Sequence, residues 1–230
     1  MKTENNIGLL IYDLNIIYGQ LCFCNNDEAD TNVYRLCIYK GEVMKVQKVR
    51  TLIQWIKIYC LYQSAFPREE KKPFSMIVSM WKRGKTDVWY CEKGNIFAGM
   101  VITINAPDRI LLDYLAVNRK IRGQGLGSKM LQSMRQLYDG KEVFLEIEMQ
   151  DETAENHEER KRRKQFYLRN GMSEMKVYIK LFGVDMELLG FDCSFSFEEY
   201  HEFYRTNYNE WAASHISEVK MEEIEKMLKN

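Results

Sequence analysis

One stretch constrains this chain more than any other: Arg122-Gly123-Gln124-Gly125-Leu126-Gly127. It follows the apolar run Ile110–Val117 and leads into a helical pattern over Ser128–Tyr138. Glycines at alternate positions bring no side chains to a core; they let the backbone turn tightly and let its N–H groups approach a partner closely. At the entrance to a helix, unpaired N–H groups and the positive end of the helix dipole favour an anion, most often a phosphate. The stretch therefore reads as a phosphate-binding loop.

Three glycine-loop patterns compete for it. A P-loop requires G-x-x-x-x-G-K-[ST], and Gly127-Ser128-Lys129 lacks that order, with no glycine five residues before Gly127. A dinucleotide fingerprint requires G-x-G-x-x-G directly after a strand, with an acidic residue about twenty positions on. Glu146 and Glu148 lie near that distance, but the spacing from Gly123 is G-x-G-x-G, position 128 is serine, and the mostly polar segment Asn118–Arg122 separates strand from loop. The third pattern, R/Q-x-x-G-x-G, is met by Arg122, Gly125 and Gly127. With Leu112-Asp113-Tyr114-Leu115-Ala116-Val117 before the loop and Met130-Leu131 after it, the sequence resembles the GNAT N-acetyltransferase superfamily. The resemblance implies that the loop holds the pyrophosphate of acetyl-coenzyme A.

Composition narrows the alternatives. A chain of 230 residues fits one domain with appendages or two small ones. Its formal net charge is zero, against the basic excess usual in nucleic-acid binders, so no nucleic-acid partner is expected. The apolar stretch Leu9–Phe23 is interrupted by Asp13, Asn15 and Gln20. It falls short of the roughly 20 apolar residues of a spanning helix and lacks a basic n-region and cleavage site, so the expectation is a cytoplasmic protein without a membrane partner. The cysteines Cys22, Cys24, Cys37, Cys60, Cys91 and Cys193 form no C-x-x-C pair, and the histidines His157, His201 and His215 offer no zinc-ligand spacing near them. No metal is expected.

Periodicity supplies the order of elements. Ile7–Phe23 and Val33–Tyr39 read as strands around the turn Asn25–Asn32, within an N-terminal extension over 1–43. Glu42–Val49 reads as a strand, Leu52, Ile53, Ile56, Tyr59 and Cys60 mark an amphipathic helix, and Pro73 suits the start of a second over Phe74–Lys82. Strands follow at Asp87–Glu92, Ile96–Ile104 and Ile110–Val117, and after the loop helix a strand at Val143–Met149. A polar helix runs from about Ala154 to Arg169, before the strands Val177–Leu181 and Val184–Leu189. Helices at Glu198–Asn207 and Glu218–Leu228 belong to a C-terminal tail over 191–230. The order over about 44–190 matches the GNAT core. The resemblance thus implies an α/β (α+β) fold: a mixed central sheet of about six to seven strands, splayed at the coenzyme cleft and flanked by helices. Ala65-Phe66-Pro67 with Pro73-Phe74, Phe166-Tyr167 with Asn170-Gly171, and Leu181-Phe182-Gly183-Val184 resemble a bacterial branch of undefined substrate.

The chemistry of acetyl transfer sets requirements for the site. An alkyl amine with pKa near 10 is only about one part in a thousand neutral at pH 7, and the departing thiolate benefits from a proton. A base near the acceptor, an acid near the sulfur and N–H donors for the oxyanion are needed. The resemblance places Tyr167 beside the sulfur as the acid, although thirteen of the fourteen tyrosines are left to other duties. Glu146 and Glu148 share one strand face, and Asp113 lies on the preceding strand; Glu146 is the preferred base, against the alternative that these acids face solvent or pair with Arg or Lys. Leu115, Ala116 and Val117 are the implied partners of the pantetheine arm. Arg122, Gly123, Gln124, Gly125, Leu126, Gly127, Ser128 and Lys129 would surround the pyrophosphate. The run Arg160–Lys164 reads as a solvated helix face paired with Glu155, Glu158 and Glu159, or as a contact for the coenzyme's ribose phosphate or for an acidic partner.

The acceptor region implied by the fold is Tyr62–Phe74 with Leu181–Asp185, which mixes aromatics with both charge signs and favours neither an aminoglycoside nor a polyamine. The expected function is direct acetyl transfer from acetyl-coenzyme A to an amine of a small molecule or peptide. No cysteine in the matched motifs suggests an acyl-enzyme. The competing reading is a non-catalytic coenzyme A-binding sensor or scaffold, and either activity is compatible with a homodimer.

Overall fold

The computed structural model describes residues 34–39, 42–68, 70–220 and 224. The expected strand Ile7–Phe23, Cys22 and Cys24, and most of the expected terminal helix after Glu218 lie outside them. The chain forms two compact units, one of residues up to Thr103 with Tyr114–Ser133, the other of Ile104–Asp113 with Met134 onward.

In the first unit the strands β1 (Tyr34–Tyr39), β2 (Glu42–Lys48), β3 (Thr86–Lys93) and β4 (Ile96–Asn105) lie in sequential order, followed by β5 (Arg109–Val117), of which Tyr114–Val117 belong to this unit and Arg109–Asp113 to the second. β1 pairs antiparallel with β2 from Tyr34↔Gln47 to Tyr39↔Glu42. The strand expected within the N-terminal extension thus hydrogen-bonds directly to the first strand of the expected core. Between β2 and β3 come α1 (Leu52–Ala65) and α2 (Phe74–Lys82). Thr51 and Gln54 start α1 with a reciprocal capping box: Gln54 N donates to Thr51 Oγ1 (3.3 Å) and Thr51 N to Gln54 Oε1 (3.1 Å). The aromatic face Trp55, Tyr59, Tyr62 and Phe74 closes a core with Val88, Tyr90, Met100, Ile102, Tyr114 and Ala116. β3 and β4 meet across Gly94-Asn95, with Gly94 at φ +59° where a two-residue hairpin needs glycine first.

In the second unit the order is β5, β6 (Glu142–Glu148), β8 (Val184–Phe191), β7 (Ser173–Leu181) and β9 (Ile216–Glu218). β6 runs parallel to β5 and antiparallel to β8, so the sheet is mixed, as expected. α4 (His157–Arg169) precedes β7, and α5 (Phe197–Asn207) and α6 (Glu210–Ala213) follow β8. β7 starts four residues before the expected Val177: Ser173 and Glu174 pair with β8, after which a bulge, with Lys176 at φ +59°, shifts the register before Tyr178. That bulge and the polar composition hid the strand's first half. The described part of the expected tail joins this unit's core, because Phe195 and Phe203 stand edge-on to Phe144 of β6 (4.9 and 5.3 Å). Glu218, expected to open a helix, ends β9 instead.

Candidate active site

The glycine loop lies in the first unit. After β5 a single 3₁₀ turn, Arg119–Ile121, is capped by Asn118, whose Oδ1 accepts from Lys120 N (3.1 Å) and whose Nδ2 donates to Phe97 O (2.9 Å). Arg122 Nε donates back to Val117 O (3.3 Å). Gly123 and Gly125 then take φ of +81° and +70°, in the left-handed region that other residues enter only at a cost. An added Cβ at either would meet nothing within 4 Å, so these glycines serve backbone conformation in an open setting rather than tight packing.

The helix α3 spans Leu126–Leu137 and begins two residues earlier than the pattern Ser128–Tyr138 predicts. Gly127 is therefore inside its first turn, where the N–H groups have no intrahelical acceptor anyway. The ladder starts with Lys129 N to Gly125 O (3.1 Å). No acidic residue occupies that first turn, leaving the dipole's positive end without a built-in counter-charge. Leu126, Met130 and Leu131 are buried and anchor the helix, while Arg122 to Gly125 are exposed. Leu115 and Val117 are half-exposed, and Ala116 is buried in the core. β5 approaches β4 closely here: a Cβ on Gly99 would stand 2.3 Å from Ala116 O.

The expected acceptor connection between α1 and α2 is pinned by two tyrosines. Tyr62 Oη donates to Lys72 O (2.9 Å). Tyr114 Oη donates to Glu70 O (2.9 Å) and accepts from Lys72 N (3.1 Å). Arg119 Nη2 adds a bond to Ser64 O (2.7 Å) at the end of α1.

In the second unit, parallel pairing of β5 and β6 runs from Arg109↔Glu142 to Leu111↔Phe144, although β5 continues to Val117 and β6 to Glu148. Tyr167 lies in the last turn of α4, whose end is a Schellman motif. Met172 N donates to Tyr167 O (3.2 Å) and Gly171 N to Leu168 O (3.0 Å), with Gly171 at φ +89°. The Tyr167 ring is half-buried and stands edge-on to Phe166 (5.1 Å). Burial of its hydroxyl pushes the phenol pKa up, partly offset by the Arg163 charge, so the group is protonated at neutral pH.

Glu146, the base preferred from the sequence, is held by two phenols. Its Oε1 accepts from Tyr200 Oη (2.7 Å) and from Tyr204 Oη (2.8 Å), both on α5. Sequence reasoning missed these tyrosines; the available signal was the i, i+4 pair on the face that also carries Phe203. Glu148 is committed elsewhere: Arg160 Nη2 (2.9 Å) and Arg163 Nη1 (3.2 Å) pair with its two oxygens. Lys164 pairs with Glu187 (2.7 Å) and Glu174 (2.9 Å). Arg160, Arg163 and Lys164 thus pair with strand carboxylates rather than the helix acids expected to partner them, because β6, β7 and β8 present acids toward α4, whereas Lys161 and Arg162 are exposed as a solvated face would be. Burial raises the Glu187 carboxyl pKa against the opposing pull of Lys164. Among the described residues no group of three or more His, Cys, Asp or Glu is placed to hold a metal ion, and no helix is long and apolar enough to cross a membrane.

Comparison with known proteins bears on the same residues. Residues 84–172, which include the loop, Glu146 and Tyr167, match the family model of the acetyltransferase (GNAT) domain. Over 104 residues the chain is 32% identical to the candidate acetyltransferase YjbC of Bacillus subtilis (strain 168), covering 45% of this chain and 50% of that protein. The chain thus spans about half the length of this curated relative. Among solved structures it is similar to a candidate GNAT-family acetyltransferase from Bacteroides thetaiotaomicron, with TM-score 0.61 and 18% identity, covering 73% of this chain and 98% of that one. A candidate GNAT-family acetyltransferase from Desulfovibrio desulfuricans matches with TM-score 0.51 and 18% identity over 64% of this chain and 97% of that one. At these identities the likeness is one of fold.

Proposed function

We propose that this chain, whose residues 84–172 belong to the GNAT acetyltransferase family, transfers an acetyl group from acetyl-coenzyme A directly to an amine of a small molecule or peptide. The observation that carries the reading is the loop: two positive-φ glycines in open space, leading into a helix whose first turn holds no acid. That is a polyanion's cradle rather than a packing device. Backbone from Arg122 through Lys129 would surround the pyrophosphate, and Leu115, Ala116 and Val117 would meet the pantetheine amides. Arg122, Lys129 and nearby Lys120 add local positive charge.

The roles on the acceptor side follow from proton balance. The amine nitrogen attacks the acetyl carbonyl carbon, a C–N bond forms and the C–S bond breaks. Glu146 takes the proton that the amine loses, and Tyr167 supplies one to the departing thiolate. Burial keeps the phenol protonated at neutral pH, so it carries a hydrogen-bonding proton to offer the sulfur as negative charge develops there.

The test is a thiol-release assay with acetyl-coenzyme A against an amine panel, run beside Tyr167→Phe. Turnover is expected with at least one amine, and Tyr167→Phe is expected to lower kcat by roughly 10²-fold while leaving coenzyme affinity by calorimetry unchanged. Full activity in Tyr167→Phe would remove the acid assignment. Tight coenzyme binding without turnover of any amine would turn the reading to a coenzyme sensor.

A further inference from the structure

We infer that α5, which lies beyond the family-matched residues, belongs to the catalytic apparatus: Tyr200 and Tyr204 are positioning residues that hold the Glu146 carboxylate in one orientation toward the acceptor amine. The inference rests on the acetyl-transfer reading above.

The geometry is specific. Two hydroxyls, one helical turn apart, converge on the same carboxylate oxygen at 2.7 and 2.8 Å. Tyr200 is 0% and Tyr204 2% exposed, whereas Glu146 itself is half-buried. The enclosed end of the carboxylate is therefore gripped while the residue keeps access to its surroundings. Both donors are held by their own packing. Their rings lie 5.1 Å apart, Tyr204 stacks on Tyr208 (4.9 Å, 22°), and Tyr200 stands edge-on to Phe144.

The helix that carries them is fixed as well. Ser196 and Glu199 form a capping box at its start. Glu199 also accepts from Arg109 Nη2 (2.8 Å), whose Nε donates to Glu142, so β5, β6 and α5 are tied at one guanidinium.

A stability role alone does not call for this arrangement. Phe144 precedes Glu146 on the same face of β6 and stands edge-on to the rings of Phe195, Phe203 and Tyr200. An apolar residue at 146 facing phenylalanines would continue that packing without burying any polar group. Instead two phenols are buried to orient one anion, the arrangement that preorganised proton transfer requires. Burial and the Glu146 charge push both phenols well above the ordinary tyrosine range, so they act as donors throughout the working pH range. Asp113 on β5 and Tyr208 after α5 are the other titratable groups whose charge reaches these hydroxyls.

A double-mutant cycle on the full chain tests the inference, with wild type, Tyr200→Phe, Tyr204→Phe, Glu146→Gln and Tyr204→Phe/Glu146→Gln. Thiol release is measured with acetyl-coenzyme A and spermidine, kanamycin, lysine or a tripeptide with a free N-terminus, using whichever is turned over, and thermal unfolding checks each fold. Each tyrosine change is expected to lower acceptor kcat/KM roughly tenfold, with KM for acetyl-coenzyme A unchanged and the acid limb of the pH–rate profile moved upward. Tyr204→Phe is expected to cost nothing further in the Glu146→Gln background. Independent, multiplying losses with an unmoved profile in an active enzyme would overturn the inference alone, and Tyr200→Phe decides the matter if Tyr204→Phe does not fold. A wild type that binds coenzyme but acetylates none of the four amines would overturn the acetyl-transfer reading first, and this inference with it.

Discussion

The glycine loop of the first unit and the Glu146 cluster of the second achieve order by opposite means. In the loop, the arrangement depends on what is missing: Gly123 and Gly125 have no side chain, and space surrounds the positions where one would stand. At Glu146 it depends on what is present: two hydroxyls and the rings that hold them. The first region is vulnerable to added atoms and the second to their removal. A backbone cradle is specified over a few consecutive residues, whereas an oriented carboxylate draws on distant parts of the chain.

The largest expected effect breaks the loop. Gly125→Glu places a negative charge at the proposed pyrophosphate site and forces a non-glycine residue to φ +70°. The left-handed strain and like-charge repulsion together should weaken coenzyme binding by roughly 100-fold or more. Calorimetry reads this directly, and unchanged affinity would refute the loop assignment.

A smaller effect is expected where the addition is a single methyl. Gly99→Ala sets a Cβ 2.3 Å from the Ala116 carbonyl oxygen and 3.0 Å from Met130, and a backbone oxygen yields little. The expected cost is about 1–3 kcal/mol, visible as a lower Tm. An unshifted Tm would mean that the β4–β5 approach relaxes freely.

The smallest effect lies on the tyrosine side. Because the Tyr200 and Tyr204 pKa values are raised in the folded state, the folded chain binds more protons than the unfolded one above pH 10. Their contribution to stability is fully present below the unfolded tyrosine value and is lost as pH rises toward the folded values. Denaturant unfolding should therefore show stability declining above about pH 10, less steeply in Tyr204→Phe. Equal slopes in the two proteins would separate Tyr204 from that decline.

This contrast also explains what the sequence could disclose. The backbone conformation of the loop was legible because Gly123, Gly125 and the helix that follows are neighbours along the chain. The strand and helix order was legible for the same reason. Even there the helix began at Leu126 rather than Ser128, since a glycine in a first turn leaves little mark on periodicity. The Glu146 cluster was only half visible: its donors lie 54 and 58 residues downstream, and no spacing rule reaches that far. The basic run Arg160–Lys164 misled for a related reason. Helical spacing proposes partners on the same helix, while the chain's own strands supplied nearer ones in Glu148, Glu174 and Glu187.

Arg109 ties the start of α5 to the two strands beneath it, and α5 lies past the end of the family-matched segment at residue 172. Under the proposed roles, the grip on the donor lies inside the family-matched segment and the tyrosines that grip the carboxylate lie outside it. A relative could keep the loop intact, exchange the helix after β8, and so acquire a differently oriented base while spending the same coenzyme. Duplication followed by drift in this one appended helix would be enough to redirect the chemistry to a new acceptor.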